Sequence, residues 1–392
     1  MRFELSEDQQ DIKTAAREFL TARVTGECRR QAAGQGRYDD ALWSELADLG
    51  WPGLAVATEH GGQGFGLVEL TLLLEELGYA CAPTPFLGTA LAALAIERSG
   101  TQQQRERWLE ALAAGKATGA FGIESTEPQH VADAGADVYV VRDRAGTHAR
   151  LIEGRHARVQ LVDTVDTVRR YGFARPSRHG EALAGDVASA SDRALVVVAG
   201  ELVGVCQGAL DLAVEYIKQR KQFGQPIGSF QAVSHLAAHM MQETERARSA
   251  TYYAAWVADN GTAEDLALAA SMAKAAASDA ALSVTATALQ LHGAIGFTWE
   301  ADAHWFYSRA IMDARLLGGA AEHRARVARL VAAQRRRTLL QETPVQAVLF
   351  GVAARAGAVY GVVQDNYYRF GRRVPGLPEL PAFPDLLELA QR

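Results

Sequence analysis

Apolar residues recur every three or four positions over most of this chain, and that spacing predicts helices. "LSEDQQDIKTAAREFLTARV" opens on Ser6 with a carboxylate-rich first turn, which suits a helix N-terminus. "DDALWSELADLGW" predicts a second helix ending at Gly50, before Pro52. "LVELTLLLEELGYA" is apolar almost all round and predicts a buried helix. "TALAALAIERSGTQQQRERWLEALAAGK" reads as a helical pair split at Gly100, and "EHGGQGFG" as a glycine-rich loop. The pattern changes at Ala117. "ATGAFGIES", "DVYVVRD", "HARLIEG", "ARVQLVD" and "VRRYGFAR" are short runs between turn residues and predict strands.

Helical spacing then returns. In "SASDRALVVVAGELVGVCQGALDLAVEYIKQRKQFG", Leu195, Val198, Leu202, Val205, Leu212 and Tyr216 fall on one face. "SFQAVSHLAAHMMQETERARSATYYAAWVAD" and the Ala-rich "TAEDLALAASMAKAAASDAALSVTATALQLHG" predict two more long helices in a bundle. After residue 340, "PVQAVLFGVAARAGAVYGVVQDNYYRF" fits a further helix. "GRRVPGLPELPAFPDLLELAQR" holds four of the eleven prolines and reads as an extended arm. The expected plan is mainly α with a small β domain. An N-terminal helical domain spans 1–116, a middle β domain 117–188, a C-terminal four-helix bundle 189–340 and an extension 341–392.

Composition narrows the function classes. At 392 residues and 48% hydrophobic, the chain can build an ample core. A net charge of −6 and the lack of a basic stripe argue against nucleic-acid binding. The charged start "MRFELSEDQQ" has no apolar segment of a secretory signal. The richest apolar run, "ALVVVAGELVGV", is broken by Glu201, so no membrane span is expected. Cys28, Cys81 and Cys206 are far apart, which fits a reduced cytoplasm and neither a disulfide scaffold nor a metal site.

Two segments could carry chemistry. In "EYIKQRKQFGQPIGSFQ", Lys218, Arg220 and Lys221 are placed in the last turn of a helix, with Gly224 and Pro226 beyond. Cations suit a helix C-terminus, glycine caps and proline stops, so the run has a structural explanation. It also fits a cationic clamp for phosphate, with Arg220 the best fork. In "LQLHGAIGF", Gly293 fits a cap and His292 a satisfied core histidine. Glycines also occur where a backbone must approach something closely.

Taken together and in this order, the segments resemble the acyl-CoA dehydrogenase family over about residues 5–335. The markers are Arg220-Phe223-Gly224 and Gln290-Gly293-Ala294-Gly296, with Ala294 in place of a glycine; "EHGGQGFGLVELTLLLEELG" looks like the first-domain signature. The resemblance implies FAD as cofactor and an acyl-CoA thioester as substrate. An electron-transfer flavoprotein-like acceptor is a further implied partner. It also implies that Arg220, Gln222 and Phe223 meet the ADP half of an FAD bound mainly by a neighbouring subunit, with Gln290, Gly293 and Gly296 at the same end.

Two departures from the family follow. Its catalytic glutamate falls on Leu317, before Gly318, while Glu322 lies further on in the next helix. Other members carry the base at the start of the first bundle helix, where this chain has Asp192 before Arg193. Asp192 is thus the candidate catalytic base, and a carboxylate there also suits a helix cap. In the β domain, Thr126-Glu127-Pro128 matches, but the following Gly-Ser-Asp turn and long hairpin are missing. Groups that would face the flavin ring go with them. The expectation is a subunit of a heteromeric acyl-CoA dehydrogenase that completes a neighbour's FAD site. The alternatives are a homotetramer using Asp192 and a non-catalytic helical scaffold.

Overall fold

A computed structural model describes residues 5–123, 129–174 and 179–341. The chain divides into two compact units, Met1–Val327 and Ala328–Arg392. The features below lie in the first, apart from the later turns of the last helix.

Six helices build the N-terminal region: α1 (Glu7–Arg23), α2 (Gly26–Gln35), α3 (Asp40–Asp48), α4 (Leu67–Tyr79), α5 (Phe86–Ser99) and α6 (Gln102–Ala113). Ser6 starts α1 as its spacing predicts. Its hydroxyl accepts from the Gln9 amide and the Gln9 side chain accepts from the Ser6 amide, satisfying two otherwise orphaned donors. α3 stops before Gly50, whose φ of 73° only glycine adopts without strain. α2 was not expected from the sequence.

Seven short strands follow: β1 (Gly119–Ile123), β2 (Gln129–Ala132), β3 (Val138–Arg142), β4 (Ala149–Glu153), β5 (Val159–Val162), β6 (Tyr171–Ala174) and β7 (Glu181–Ala182). They form a four-stranded sheet in the order β1-β3-β4-β7 and a three-stranded sheet in the order β2-β6-β5. β1 and β3 run parallel, with Gly119 opposite Val138; the remaining pairs in these sheets are antiparallel. All five expected strands are present. Thr126-Glu127-Pro128 and the extension from residue 342 lie outside the described residues.

The bundle consists of α7 (Val187–Gln219), α8 (Gln231–Asn260), α9 (Ala263–His292) and α10 (Ala303–Asp313), followed by α11 (Ala320–Gln341). α7 is the core helix. It and α9 with its following turn are long and apolar enough to cross a membrane, but 83% of α7's most apolar stretch is buried inside this fold. α4 lies directly on α7 because glycines face backbone there. A Cβ on Gly204 would sit 1.8 Å from the Glu75 carbonyl oxygen, and one on Gly78 2.1 Å from that of Glu201.

Glu201, which interrupts the apolar run, anchors a buried charge cluster. Arg169 donates to Glu201 at 2.5 Å and to Asp313 at 3.1 Å; Arg309 donates to Asp166 at 2.5 Å and to Glu201 at 3.1 Å. Tyr38 donates to Asp133 at 2.5 Å, and the second oxygen of Asp133 accepts from the Gly88 amide at the start of α5. Arg169 Nε lies 3.5 Å from Asp133. The N-terminal helices, the β region and the bundle therefore meet at four buried carboxylates and two arginines.

Candidate functional site

The first candidate site lies at one end of the bundle. α7 finishes at Gln219, and Arg220 is its C-cap residue, donating its amide to the Tyr216 carbonyl. The chain then forms a two-strand ribbon, β8 (Lys221–Gln222) against β9 (Gln225–Pro226). This corrects the expected helix end. Of the three cations, Lys218 alone is in the last helical turn, and Gly224 is not a helix cap. Phe223 and Gly224 form the two-residue loop, with φ of 53° and 81°. Positive φ at both central positions is the type I′ hairpin pattern, which favours Asn-Gly. A phenylalanine there is strained.

That strain is not offset by burial within the chain. The Phe223 side chain is 92% exposed and touches the Phe230 ring edge-on, 6.1 Å between centroids. Arg220 and Gln222 are exposed beside it, and among the described residues the Arg220 guanidinium has no ion-pair partner.

The glycine segment ends at the same place. The Tyr216 and His292 rings stack at 4.5 Å and 25°. His292 is buried and its Nδ1 lies 2.7 Å from the Ala288 carbonyl, so the imidazole is a satisfied core group that donates there. Gly293 closes α9 with φ 64° and ψ −144°, a conformation open to glycine, and no atom lies within 4 Å of where its Cβ would be. Gly296 is buried, and a Cβ there would meet His292 at 2.9 Å. Gln290 is exposed on the last turn of α9. Phe297 (74%) and Trp299 (62%) also present their rings to the outside. All six predicted residues, Arg220, Gln222, Phe223, Gln290, Gly293 and Gly296, lie on the two segments that this stack holds together.

The second candidate, Asp192, is elsewhere. It does not start α7; Asp186 does, accepting from the Ser189 amide at 2.9 Å. Asp192 lies more than a turn further in and is buried. Both its oxygens are taken by Arg326 of α11, one of them at 3.0 Å, and Arg326 also donates to Ser271 of α9 at 2.9 Å. The capping role considered for Asp192 is therefore filled by Asp186, and Asp192 is half of a bidentate ion pair. Arg193 donates to the Ala258 carbonyl and lies 3.6 Å from Asp259.

The turn carrying Leu317 leads into α11, nine residues before Arg326. Leu317 is buried with φ 60°, and Gly318 follows with φ 110°. Lys274 of α9, fully buried, donates to the carbonyls of Ala314 at 3.0 Å and Gly318 at 3.2 Å, and to Ser278 at 2.9 Å. Burial pushes its ammonium down to about 7, with Asp313 and Glu322 opposing. His323 packs against Gly318; burial, then Lys274 and Arg326, push its imidazole down to about 4. Glu322 is exposed in the first turn of α11.

Sequence comparison decides the family. The N-terminal domain of acyl-CoA dehydrogenases matches residues 6–116, and the C-terminal domain of the same family matches residues 191–332. The chain belongs to the acyl-CoA dehydrogenase family. It is 35% identical over 314 residues to the acyl-CoA dehydrogenase IpdE2 of Mycobacterium tuberculosis, covering 79% of this chain and 93% of that protein. Among solved structures, a steroid acyl-CoA dehydrogenase variant, Tcur3481-Tcur3483, aligns with TM-score 0.75 and 28% identity, covering 84% of this chain and 99% of that one. The ChsE4-ChsE5 complex from Mycobacterium tuberculosis shares the fold, with TM-score 0.75 at 23% identity over 88% of this chain and 100% of that one.

Members of the acyl-CoA dehydrogenase family are FAD-binding flavoproteins. The bundle end fits the ADP half of that cofactor. An unpaired guanidinium suits phosphate, exposed rings suit a flat heteroaromatic, and side-chain-free backbone suits close approach. Sequence reasoning missed Arg326, Lys274, His323 and the Arg169–Arg309 cluster. The available signal was charge at core positions: Glu201 in α7 and Lys274 in α9.

Proposed function

We propose that this chain is a subunit of an FAD-dependent acyl-CoA dehydrogenase, acting in the α,β-dehydrogenation of an acyl-CoA thioester, and that it completes the FAD site of a neighbouring subunit in a heteromer. One observation carries this reading: Phe223 is held at a strained φ and left 92% exposed, next to an unpaired Arg220. A strained, exposed aromatic whose ring contact in its own chain is one edge-on meeting with Phe230 gains little there, so its main contact is with something outside.

Bound FAD supplies the acceptor for the hydride from the acyl β-carbon. In this reading Arg220 donates to the pyrophosphate, and Phe223 packs on the adenosine. Gln222 and Gln290 flank them, and Gly293 lets backbone approach the same end, with Gly296 packed on His292 behind it. Asp192, clamped by Arg326, is an ion-pair partner. The group that accepts the α-proton then comes from the other subunit. A homotetramer using Asp192 as base is the second reading; the burial of the carboxylate favours it. The electron acceptor in both is an electron-transfer flavoprotein-like protein. A cytoplasmic location belongs to this proposal and is supported by three free cysteines.

The test is flavin content. The chain purified alone is expected to hold little FAD and to gain it on assembly with a second family subunit. Stoichiometric FAD in the isolated homo-oligomer, reducible by an acyl-CoA, overturns the half-site reading in favour of the homotetramer.

A further inference from the structure

The Leu317–Gly318 turn is strained, buried at Leu317 and held from two sides. Leu317 is a non-glycine residue at φ 60°. From α9, the Lys274 ammonium binds the carbonyl of Ala314, before the turn, and that of Gly318, within it. Immediately before Ala314, Asp313 is tied into the buried charge cluster. It accepts from Arg169 at 3.1 and 3.2 Å and from the Tyr171 hydroxyl at 3.2 Å. Immediately after the turn, α11 brings His323 against Gly318 and Arg326 onto Asp192 and Ser271.

We propose that this turn is a latch: Lys274 and Asp313 keep it closed, and its opening withdraws Arg326 from Asp192, so that the turn decides whether that carboxylate is clamped or free. The latch is independent of which subunit binds flavin.

The charges around it give the latch a distinctive pH response. Lys274 faces Asp313 of α10 and Glu322 of α11, and His323 of α11 senses it in turn. Asp313 faces Arg169 and Arg309, which favour its ionised form, and Glu201 and Asp166, which oppose it. Burial is the largest influence on both groups. It pushes Lys274 down to about 7 and Asp313 up to about 7. Opening into water returns them toward ordinary values of about 10.4 and 3.9. Between about 4 and 7, closed Asp313 keeps a proton that the open form releases, so opening becomes easier as pH rises. Between about 7 and 10, closed Lys274 is neutral while the open form takes up a proton, so opening becomes harder as pH rises. His323, held against Gly318 and pushed down to about 4 in the closed form, takes up a proton on opening between about 4 and 6.5 and so offsets Asp313 there; opening is nearly level below neutrality and falls above it.

The experiment is amide hydrogen exchange on the full chain from pH 5.5 to 9, with intrinsic rates divided out. The reporters are Leu316, whose amide donates to Met312 and Asp313, and Gly318, whose amide donates to Arg315. The expected opening constant is nearly level below pH 7 and falls above it by up to about tenfold per pH unit, the limit for one linked proton. His323→Gln should uncover a rise in opening toward neutrality, Asp313→Asn should give a fall across the acid range instead, and Lys274→Met should lose the alkaline fall. A flat wild-type profile overturns the latch. So does exchange of both amides only together with the α7 core, or a profile unchanged in the variants. If any variant fails to fold, the shape of the wild-type profile still decides.

Discussion

Tyr216 and His292 stack face to face at 4.5 Å, and this contact joins the two segments that carry every proposed FAD contact. Tyr216 is four residues before Arg220, and His292 precedes Gly293 directly. The ends of α7 and α9 are thereby fixed relative to one another before any cofactor or neighbour arrives.

Arg220 is the first group to test. Its charge-assisted hydrogen bonds to pyrophosphate should each be worth about 1.5–3 kcal/mol. Arg220→Ala should therefore weaken FAD retention by roughly tenfold to a hundredfold. As a helix-end cation alone it would contribute only about 0.3–1 kcal/mol of stability. Flavin release from the assembled oligomer, measured beside thermal unfolding of the flavin-free chain, separates the two. Unchanged flavin affinity with a small stability loss would return Arg220 to a helix-end role.

Phe223 should respond in opposite directions to two measurements. Glycine removes the left-handed strain, worth roughly 1–2 kcal/mol for a residue with a Cβ. Phe223→Gly should thus leave the flavin-free chain as stable as wild type or more so, while FAD binding in the assembly weakens. A variant that loses stability and keeps FAD would mean that the ring serves its own chain.

Much of this architecture is legible in the sequence, for identifiable reasons. α1 announces itself through the Ser6–Gln9 cap, and α3 stops where Gly50 takes a positive φ. α2 has few apolar residues to give a period, and its buried face consists of Arg29 and Ala32. The Arg220–Pro226 ribbon reads as a helix end in the sequence because cations, glycine and proline are also the signals of one. Nothing local marks Phe223 as left-handed. Asp192 reads from the sequence as a helix-start carboxylate, a base or a cap, because its partner, Arg326, is 134 residues away. Long-range polar pairing leaves no periodic trace, only anomalies such as Glu201 and Lys274 at core positions.

The Asp192–Arg326 pair allows a direct test of base against structural partner. If the pair is structural, Asp192→Asn and Arg326→Met should each destabilise the chain. A double-mutant cycle should then give a coupling of about 0.5–3 kcal/mol. If Asp192 is a working base, Asp192→Asn should cut turnover by about a hundredfold or more. Arg326→Met should then retain the proton acceptor and far more activity. Equal losses in both variants, tracking stability, would remove Asp192 from the chemistry.

Arg309 tests the buried cluster. It is fully buried and donates to Asp166 and Glu201, so Arg309→Met leaves both carboxylates short of a cation. Breaking a buried pair from one side costs about 3–5 kcal/mol. Adding Glu201→Leu to Arg309→Met removes one stranded charge and should recover part of that loss in denaturant unfolding. A double variant no more stable than the single would mean that the cluster is not coupled as its hydrogen bonds suggest.

His323 gives the chain a pH-dependent contribution whose sign can be fixed in advance. Its imidazole is pushed from the ordinary 6.5 to about 4, first by burial and then by Lys274 and Arg326. Between those values the unfolded chain holds a proton that the folded chain does not. Stability must therefore rise with pH across that window and be lost as pH falls through it. A shift of this size corresponds to about 3 kcal/mol across the window. Asp313, raised to about 7, has the opposite slope over much of the same range, so the wild-type curve alone conceals the effect. The difference between wild type and His323→Gln isolates it. Denaturant midpoints at pH 4, 5, 6 and 7 should show the variant gaining on wild type as the solution is made more acidic. A difference that stays constant across those four values would mean that His323 binds its proton equally in the folded and unfolded chain, and that its place beside Gly318 is not closed to water.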